Sequence, residues 1–504
     1  MIKKMLFATA LGLMTMGASA QDSFLNKLKD KVTSTAKEKT TQSQNSVNQK
    51  STTMETSTPN LVQGETYYVS ATTGKGRGAD GLSPETAFKD LQKAFDTAPD
   101  GATILIAEGN YLGNSDCGYM YFRNESNPSD PAKFFKIYGG YSTDFKTRDV
   151  NKYITKIQPT PAQTAIKRAL LNIDCKRPFG YKGPEGEIVV DGITFEMGEL
   201  ALYCTPDVSD PRTGTPNDKV LSGRMLLIGE SPSTGKMGYL SAEVYAIRLN
   251  TEGQVKIQNC TFVNCTNYAI QGSMGKGHLE ISNNVFVACR MSACYVAGST
   301  NDPANTSLDF HHNTVMFTWA RTKTNESMGQ GFRFTNGIRI MDCHHNIFGC
   351  HQHCAVERTF FESNKANEAA KQCNLHDNLF FANRADLEIS NGASAAINIM
   401  AAKIEDVDEK TIGPKYENNR EMDANEAFIN AIDEPYLQGY MNATITTTSS
   451  YDPNSAANQV NRLFGMNQQG TETVRVSMFA NKYPWMKAYN FFGLIPDYGA
   501  QQPK

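Results

Sequence analysis

The chain has 504 residues, 20% of them charged, and a formal net charge of −3. Without a basic excess there is nothing to hold a nucleic-acid backbone, so no nucleic-acid partner is expected. Abundant glycine (39 residues), scarce tryptophan (2) and 40% hydrophobic content exclude a coiled coil, a polytopic membrane protein and a disulfide-dense mini-scaffold.

The chain opens with Lys3 and Lys4, an apolar run from Met5 to Met16, and Ala18-Ser19-Ala20. This pattern predicts a signal peptide over 1–20 and an exported product that is periplasmic, secreted or on the cell surface. No Cys stands near the cleavage site, which argues against a lipid anchor. No later segment reaches the roughly 18 apolar residues of a membrane span. Residues 21–63 are rich in Ser, Thr, Gln, Lys and Asn and predict a flexible polar leader.

Composition changes at Gly64. Tyr67-Tyr68-Val69 predicts a strand, and Pro84 and Glu85 open a predicted helix over 84–97. Ala102 to Ala107 predicts a second strand and Glu108 to Tyr111 a turn.

From about residue 186 a repeat appears: IVVDGITF from Ile188, VKIQNCTF from Val255, LEISNNVF from Leu279 and LDFHHNTV from Leu308. HHNIF from His344 and HDNLF from His376 continue it. Cys260, Asn284, Asn313, Asn346 and Asn378 then stand as equivalents, spaced by 24, 29, 33 and 32 residues. Apolar residues alternate with period two, which rejects a helix. Asn and Gly suit the left-handed backbone of a coil turn, and stacked Asn side chains satisfy one another. The reading is all-β, a solenoid of parallel coils, with the longer spacings carrying inserted loops.

These residues resemble a right-handed parallel β-helix of the pectate-lyase-like superfold. The segment from Glu65 to Leu112 is similar to the N-terminal cap of secreted β-helix proteins, and Ile137 to Ser142 with Phe145, Arg148 and Asp149 resembles an insertion of Bacteroidetes-type surface proteins. Ala427 to Asn430 and Ile495 to Ala500 resemble the closing segments of such chains. The expected organisation is a β-helix with its cap over 64–400 and a C-terminal segment over 401–504 that packs on or caps it. The resemblance implies a polysaccharide partner, and for a lyase a cation, often calcium, plus a Lys or Arg base.

Candidate chemistry falls in two groups. Arg333 and Arg339 are expected to face outward from Gly331 to Ile340, either neutralising a uronate carboxylate or acting as base, with His344 or His311 assisting. Arg290, Arg321, Glu357 and Arg358 complete a substrate-binding strip. The bland alternative is a solvated face with ion pairs.

All eight His lie between 278 and 376. His311, His344 and His376 share one column, and His312, His345 and Asp377 share the next, with coils about 4.8 Å apart. Such a ladder suits a base near neutral pH, a metal, or plain stacking. No residue is assigned as a metal ligand, since the Cys and His of 343–354 match no familiar zinc spacing. Cys265, Cys289 and Cys350 are expected in one inward column and Cys294 and Cys354 in another, with a Cys265–Cys289 disulfide as the alternative.

Three functions follow: a lyase-like protein that binds and cleaves an acidic polysaccharide, a non-catalytic surface or adhesin-like β-helix held at the outer membrane, and a metal-binding module on the His ladder.

Overall fold

The computed structural model describes residues 64–112, 120–122, 133–158, 169–177, 180–196, 245–263, 265, 268–287, 289, 292–298, 306–316, 318, 330–334, 338, 340–349, 351, 354–359, 372–381, 383, 385–390, 397–399, 416–422 and 495–503. The predicted signal peptide and leader lie outside them.

Period-two alternation of apolar residues makes strands here, and each strand pairs with its equivalent one coil on. Every pairing among the described strands is parallel except that of Leu387–Ser390 with Ile397–Ile399. The chain winds as a right-handed parallel β-helix, the hand favoured when twisted strands feed parallel crossovers. It has three faces, visited in order on each coil.

The first face holds Met120–Phe122, Ala169–Cys175, Ser292–Ala297, Gln330–Phe334, Cys354–Thr359 and Leu387–Ser390. The second holds Thr66–Val69, Thr103–Ala107, Lys136–Tyr141, Glu187–Asp191, Thr306–His311, Ile340–His344 and Gln372–His376. Tyr245–Gln258 and Tyr268–Ser282 run through both faces, their first halves on the first and their second halves on the second. The third holds Gly109–Leu112, Thr155–Gln158, Ile193–Glu196, Thr261–Val263, Val285–Val287, Thr314–Met316, Ile347–Gly349, Leu379–Phe381 and Arg420–Glu421. The ladder therefore continues past position 400.

The inner space is filled by columns of one residue type. Phe195, Phe262 and Phe286 stack with ring centroids 5.1 and 4.7 Å apart, and Phe310, Phe348 and Phe380 carry the aromatic core onward. Stacking follows from the coil spacing, which brings identical side chains to van der Waals distance.

The Asn equivalence read from the repeat is the second internal column. Asn284, Asn313, Asn346 and Asn378 are fully buried, and Asn419 extends the row. Each donates its amide to a strand-end carbonyl on the coil before, and its Oδ1 accepts the backbone N–H of the preceding member. The left-handed backbone, however, belongs to the residue before each Asn. Asn259, Asn283, His312, His345, Asp377 and Asn418 have φ of 51 to 57°. The buried Asn is thus a ladder rather than the bend, and two imidazoles occupy a position that usually goes to Asn or Gly.

Three local expectations change. The segment 84–97 is a 3-10 turn at Pro84–Thr86 followed by an α-helix at Leu91–Thr97, because Asp90 caps a new start through Gln92 N. The predicted turn at 108–111 is a strand, Gly109–Leu112, which pairs with Thr155–Gln158. At the corner that follows Phe348, His351 is buried and its Nδ1 meets Thr318 Oγ1 at 2.6 Å. Cys350 lies outside the described residues. Cys294 pairs in register with Phe332 and Cys354 with Gln330, so those two Cys belong to different columns. Cys265 and Cys289 are buried free thiols, and burial holds the Cys265 thiol well above its ordinary range.

Candidate functional site

Outward residues of the first face form a row from coil to coil: Asn172, Arg248, Gln271, Tyr295, Arg333, Glu357 and Glu388. Six steps of about 4.8 Å make the row about 29 Å long. Inward neighbours such as Ile173, Leu249, Cys294 and Phe332 anchor each strand, so alternation presents the row outward.

Arg333 sits in this row as expected, but it is not a free cation. Its guanidinium forms an ion pair with Glu357, donates to Tyr268 Oη at 2.9 Å and lies 4.9 Å above the Tyr295 ring. Burial works against the charge on Arg333, and Glu357 overrides it and holds the guanidinium protonated. Burial likewise pushes the Tyr268 phenol up. Tyr268 and Tyr295 stack with centroids 5.3 Å apart, and Tyr245 lies tilted against Tyr268 at 6.2 Å. Arg358 lies beside Glu357, buried at 6% exposure. Arg290, Arg321 and Arg339 fall outside the described residues; of the expected strip, Arg333 and Glu357 share the outward row, while Arg358, in register with buried Phe334, points to the other side of the strand.

Arg248 was not singled out from the sequence. It is the row member whose guanidinium has no ion pair or hydrogen bond among the described residues. Beside it on the previous coil stands Asn172, only 4% exposed, whose Oδ1 has no hydrogen-bond partner. Gln271 flanks it on the next coil. Two residues further along the strand, Asn250 donates to Asp174 Oδ1 at 2.9 Å. A cation and an amide therefore stand side by side in the row, a match for a ligand carrying both a carboxylate and hydroxyls.

The His ladder forms a second cluster, at the edge between the second and third faces. His311, His344 and His376 are in register, and their rings stack 5.0 and 5.1 Å apart. Each reaches back one coil to a carboxylate: His344 Nε2 lies 3.1 Å from Asp309 and His376 Nε2 2.9 Å from Asp342, while His311 Nε2 is 3.6 Å from Glu280. Each Nδ1 turns to the next residue: His311 to His312 at 2.8 Å, His344 to His345 at 2.9 Å, and His376 to Asp377 at 2.6 Å. A carboxylate can only accept, so His376, held between Asp342 and Asp377, donates from both ring nitrogens and is the charged imidazolium. In His311 and His344, where Nε2 faces a carboxylate and carries the ring's one proton, Nδ1 accepts from the outer imidazole.

The electrostatics follow this wiring. The His311 imidazole beside it outweighs burial and brings Glu280 down to about 2. Burial raises Asp342 and Asp377, but bonding from His376 outweighs it and both end below the usual range. Burial, then the neighbouring imidazoles, lowers His312 to about 4 and lowers His345 as well. Among the described residues no group of three or more His, Cys, Asp or Glu is disposed to hold a metal ion. Both ring nitrogens of His311, His344 and His376 face carboxylates or the outer imidazoles.

The expected pairing of Arg333 with His344 or His311 in one catalytic group does not occur. Arg333 projects from the first face, and the imidazoles stand at the far end of the second. The intervening strand Ile340–His344 is about 13 Å long at the usual rise per residue.

No helix among the described residues is long and apolar enough to cross a membrane. No family model and no curated protein sequence matches the chain. Among solved structures it is similar to a Yersinia enterocolitica family 28 exopolygalacturonase, at 10% identity and a TM-score of 0.22, covering 66% of this chain and 68% of that one. It is also similar to a GH136 lacto-N-biosidase from Eubacterium ramulus, at 10% identity and a TM-score of 0.14, covering 71% of this chain and 67% of that one. Likenesses this weak carry no argument for function.

Proposed function

We propose that this is an exported β-helix protein that binds an acidic polysaccharide along its first face, with Arg248 meeting the carboxylate. The observation that carries this reading is Arg248, an outward guanidinium of the row with no ion pair among the described residues, standing beside the amide of Gln271. A carboxylate on Arg248 gives the guanidinium a charged partner, and the amide of Gln271 beside it can meet a sugar hydroxyl. The linear row of polar side chains supports a polymer rather than a small molecule, since each coil offers one contact at a repeat near the length of a sugar unit.

Binding is better supported than elimination. A lyase needs a cation free to neutralise the uronate and a base beside it, and Arg333 is already matched by Glu357. The test is a panel of pectate, alginate, chondroitin and neutral glycans, with and without calcium. Affinity electrophoresis, unsaturated uronate absorbance and new reducing ends are recorded together. Retardation by acidic glycans that is weakened about tenfold or more by Arg248→Gln supports the proposal, because a hydrogen-bonded charge is worth about 1.5–3 kcal/mol. Equal retardation by wild type and variant overturns it. Unsaturated product adds a lyase step to binding, and no engagement of any glycan leaves the surface-protein reading.

A further inference from the structure

The residues 495–503 return to the solenoid and lie along the turn column at the edge of the His ladder. Gly499 N donates to His345 O at 2.8 Å, Ala500 N to Thr314 Oγ1 at 2.9 Å and Gln501 N to Asn283 Oδ1 at 2.6 Å. Asn283 Nδ2 returns a bond to Gln501 O at 3.1 Å, and Asn151 Nδ2 donates to Gln502 Oε1 at 3.3 Å. The Tyr498 ring stacks on His345 at 5.6 Å. The segment is built for this seat. Gln501 Nε2 bonds the carbonyls of Ile495, Tyr498 and Gly499, holding their turn. Gly499 fits so closely that a Cβ there would lie 2.6 Å from both Ile347 and Thr314.

Four of the coils are thereby tied together at positions far apart in the chain. His345 lies under this segment, and His312, its neighbour in the column, is within electrostatic reach of Asp497; both occupy left-handed positions that Asn fills on the earlier coils. We propose that residues 495–503 act as an acid-released clasp: closed over neutral His312 and His345, and opened when these two imidazoles are protonated.

The geometry supplies the reason. His312 and His345 stack 5.1 Å apart, and each lies 5.1 Å edge-on to an inner imidazole, His311 or His344. Charging the outer pair places like charges at van der Waals distance under a cover that limits water. Groups of both signs face them. The clasp contributes Asp497, the next coil Asp377, and the second face His311, His344 and His376. Glu280, Asp309 and Asp342 stand behind those, already engaged with the inner imidazoles. Burial and the neighbouring imidazoles favour the neutral outer rings, and Asp497 and Asp377 oppose them; the first pair of effects dominates. Lifting the clasp lets water solvate the new charges, so protonation and opening are linked.

The test is hydrogen exchange of the C-terminal peptide in the full chain, corrected for the intrinsic pH dependence of exchange. At pH 7.5 the amides of Gly499, Ala500 and Gln501 are expected to be protected. At pH 5 their protection should fall by about tenfold or more while peptides of the third-face strands stay protected, tenfold being one pH unit of linkage. In His312→Asn/His345→Asn the clasp should stay closed at pH 5, since Asn accepts the left-handed turn and does not titrate. Asp497→Asn removes the clasp's own carboxylate and should open it at higher pH than wild type. A clasp that keeps its protection at pH 5, that opens only together with the coils, or that opens with the same pH dependence in the double variant overturns the proposal. Should the double variant fail to fold, an unshifted Asp497→Asn profile overturns it as well.

Discussion

His344 reaches back one coil to Asp309, with Nε2 and Oδ1 3.1 Å apart, and turns its other nitrogen to His345 at 2.9 Å. The same three-part chain of carboxylate, inner imidazole and outer group recurs at Glu280, His311 and His312, and at Asp342, His376 and Asp377. A parallel solenoid produces this without special design. Register repeats each residue at the coil spacing, so one pair of columns becomes a stack of identical units.

Acid should destabilise the protein in a defined window. His312 falls from its ordinary 6.5 to about 4 and His351, through burial, to about 3. A depressed His pKa means that the unfolded chain binds more protons between the two values. Stability is therefore full above about 6.5 and is lost as pH falls toward 4. Glu280, held at about 2, adds a loss of the same sign at lower pH, beginning below its ordinary 4.5. Thermal melts across pH 7.5 to 4 should show a steady decline in midpoint, and a flat profile would contradict the burial of these imidazoles.

The Asn ladder should be the most sensitive polar feature of the core. Asn313→Ala removes the partner of Ile281 O and of the Asn284 backbone N–H, both buried. The expected cost is about 3 kcal/mol, from leaving buried polar groups unmet. Urea unfolding measures it, and a loss under about 1 kcal/mol would mean that water replaces the amide.

Two glycines should separate sharply. Gly277 has φ of 106° and a Cβ there would lie 2.0 Å from Gly253 O, so Gly277→Ala should prevent normal coil stacking. Gly76 has open space around its missing Cβ and no left-handed φ, so Gly76→Ala should leave stability unchanged or slightly raised. Soluble yield and melting temperature compare the two.

The Arg333–Glu357 pair predicts non-additive stability. Glu357→Gln leaves the half-buried guanidinium against two tyrosines without its facing charge, at a cost of about 3 kcal/mol. Adding Arg333→Met should recover part of that loss, since an apolar side chain can cover the Tyr295 ring. A double variant that loses the sum of both single losses would show that the pair is not coupled.

Much of the fold was legible before any coordinates. The repeated apolar alternation ending in Asn or Cys, from Cys260 to Asn378, determined the solenoid, the equivalence of its coils and the two His columns, because a period-two pattern at coil spacing admits one register. The site was less legible. The partner of Arg333, Glu357, lies 24 positions away, and only coil stacking brings the two together. Arg248 escaped notice because nothing local marks it: its significance is that its neighbours in space, Asn172 and Gln271, leave its charge unmatched, and they come from other coils.

The sequence by itself determined which residues share the Asn and His columns, since those lie inside the repeat written in the chain; the column shared by Cys294 and Cys354, expected from spacing outside that repeat, does not form. Only the tertiary structure decided which face each column takes, which charges are already paired, and where the C-terminal residues 495–503 come to rest. Those outcomes depend on side-chain reach between coils and on a return of the chain across more than a hundred positions, and neither leaves a local signal in the order of residues.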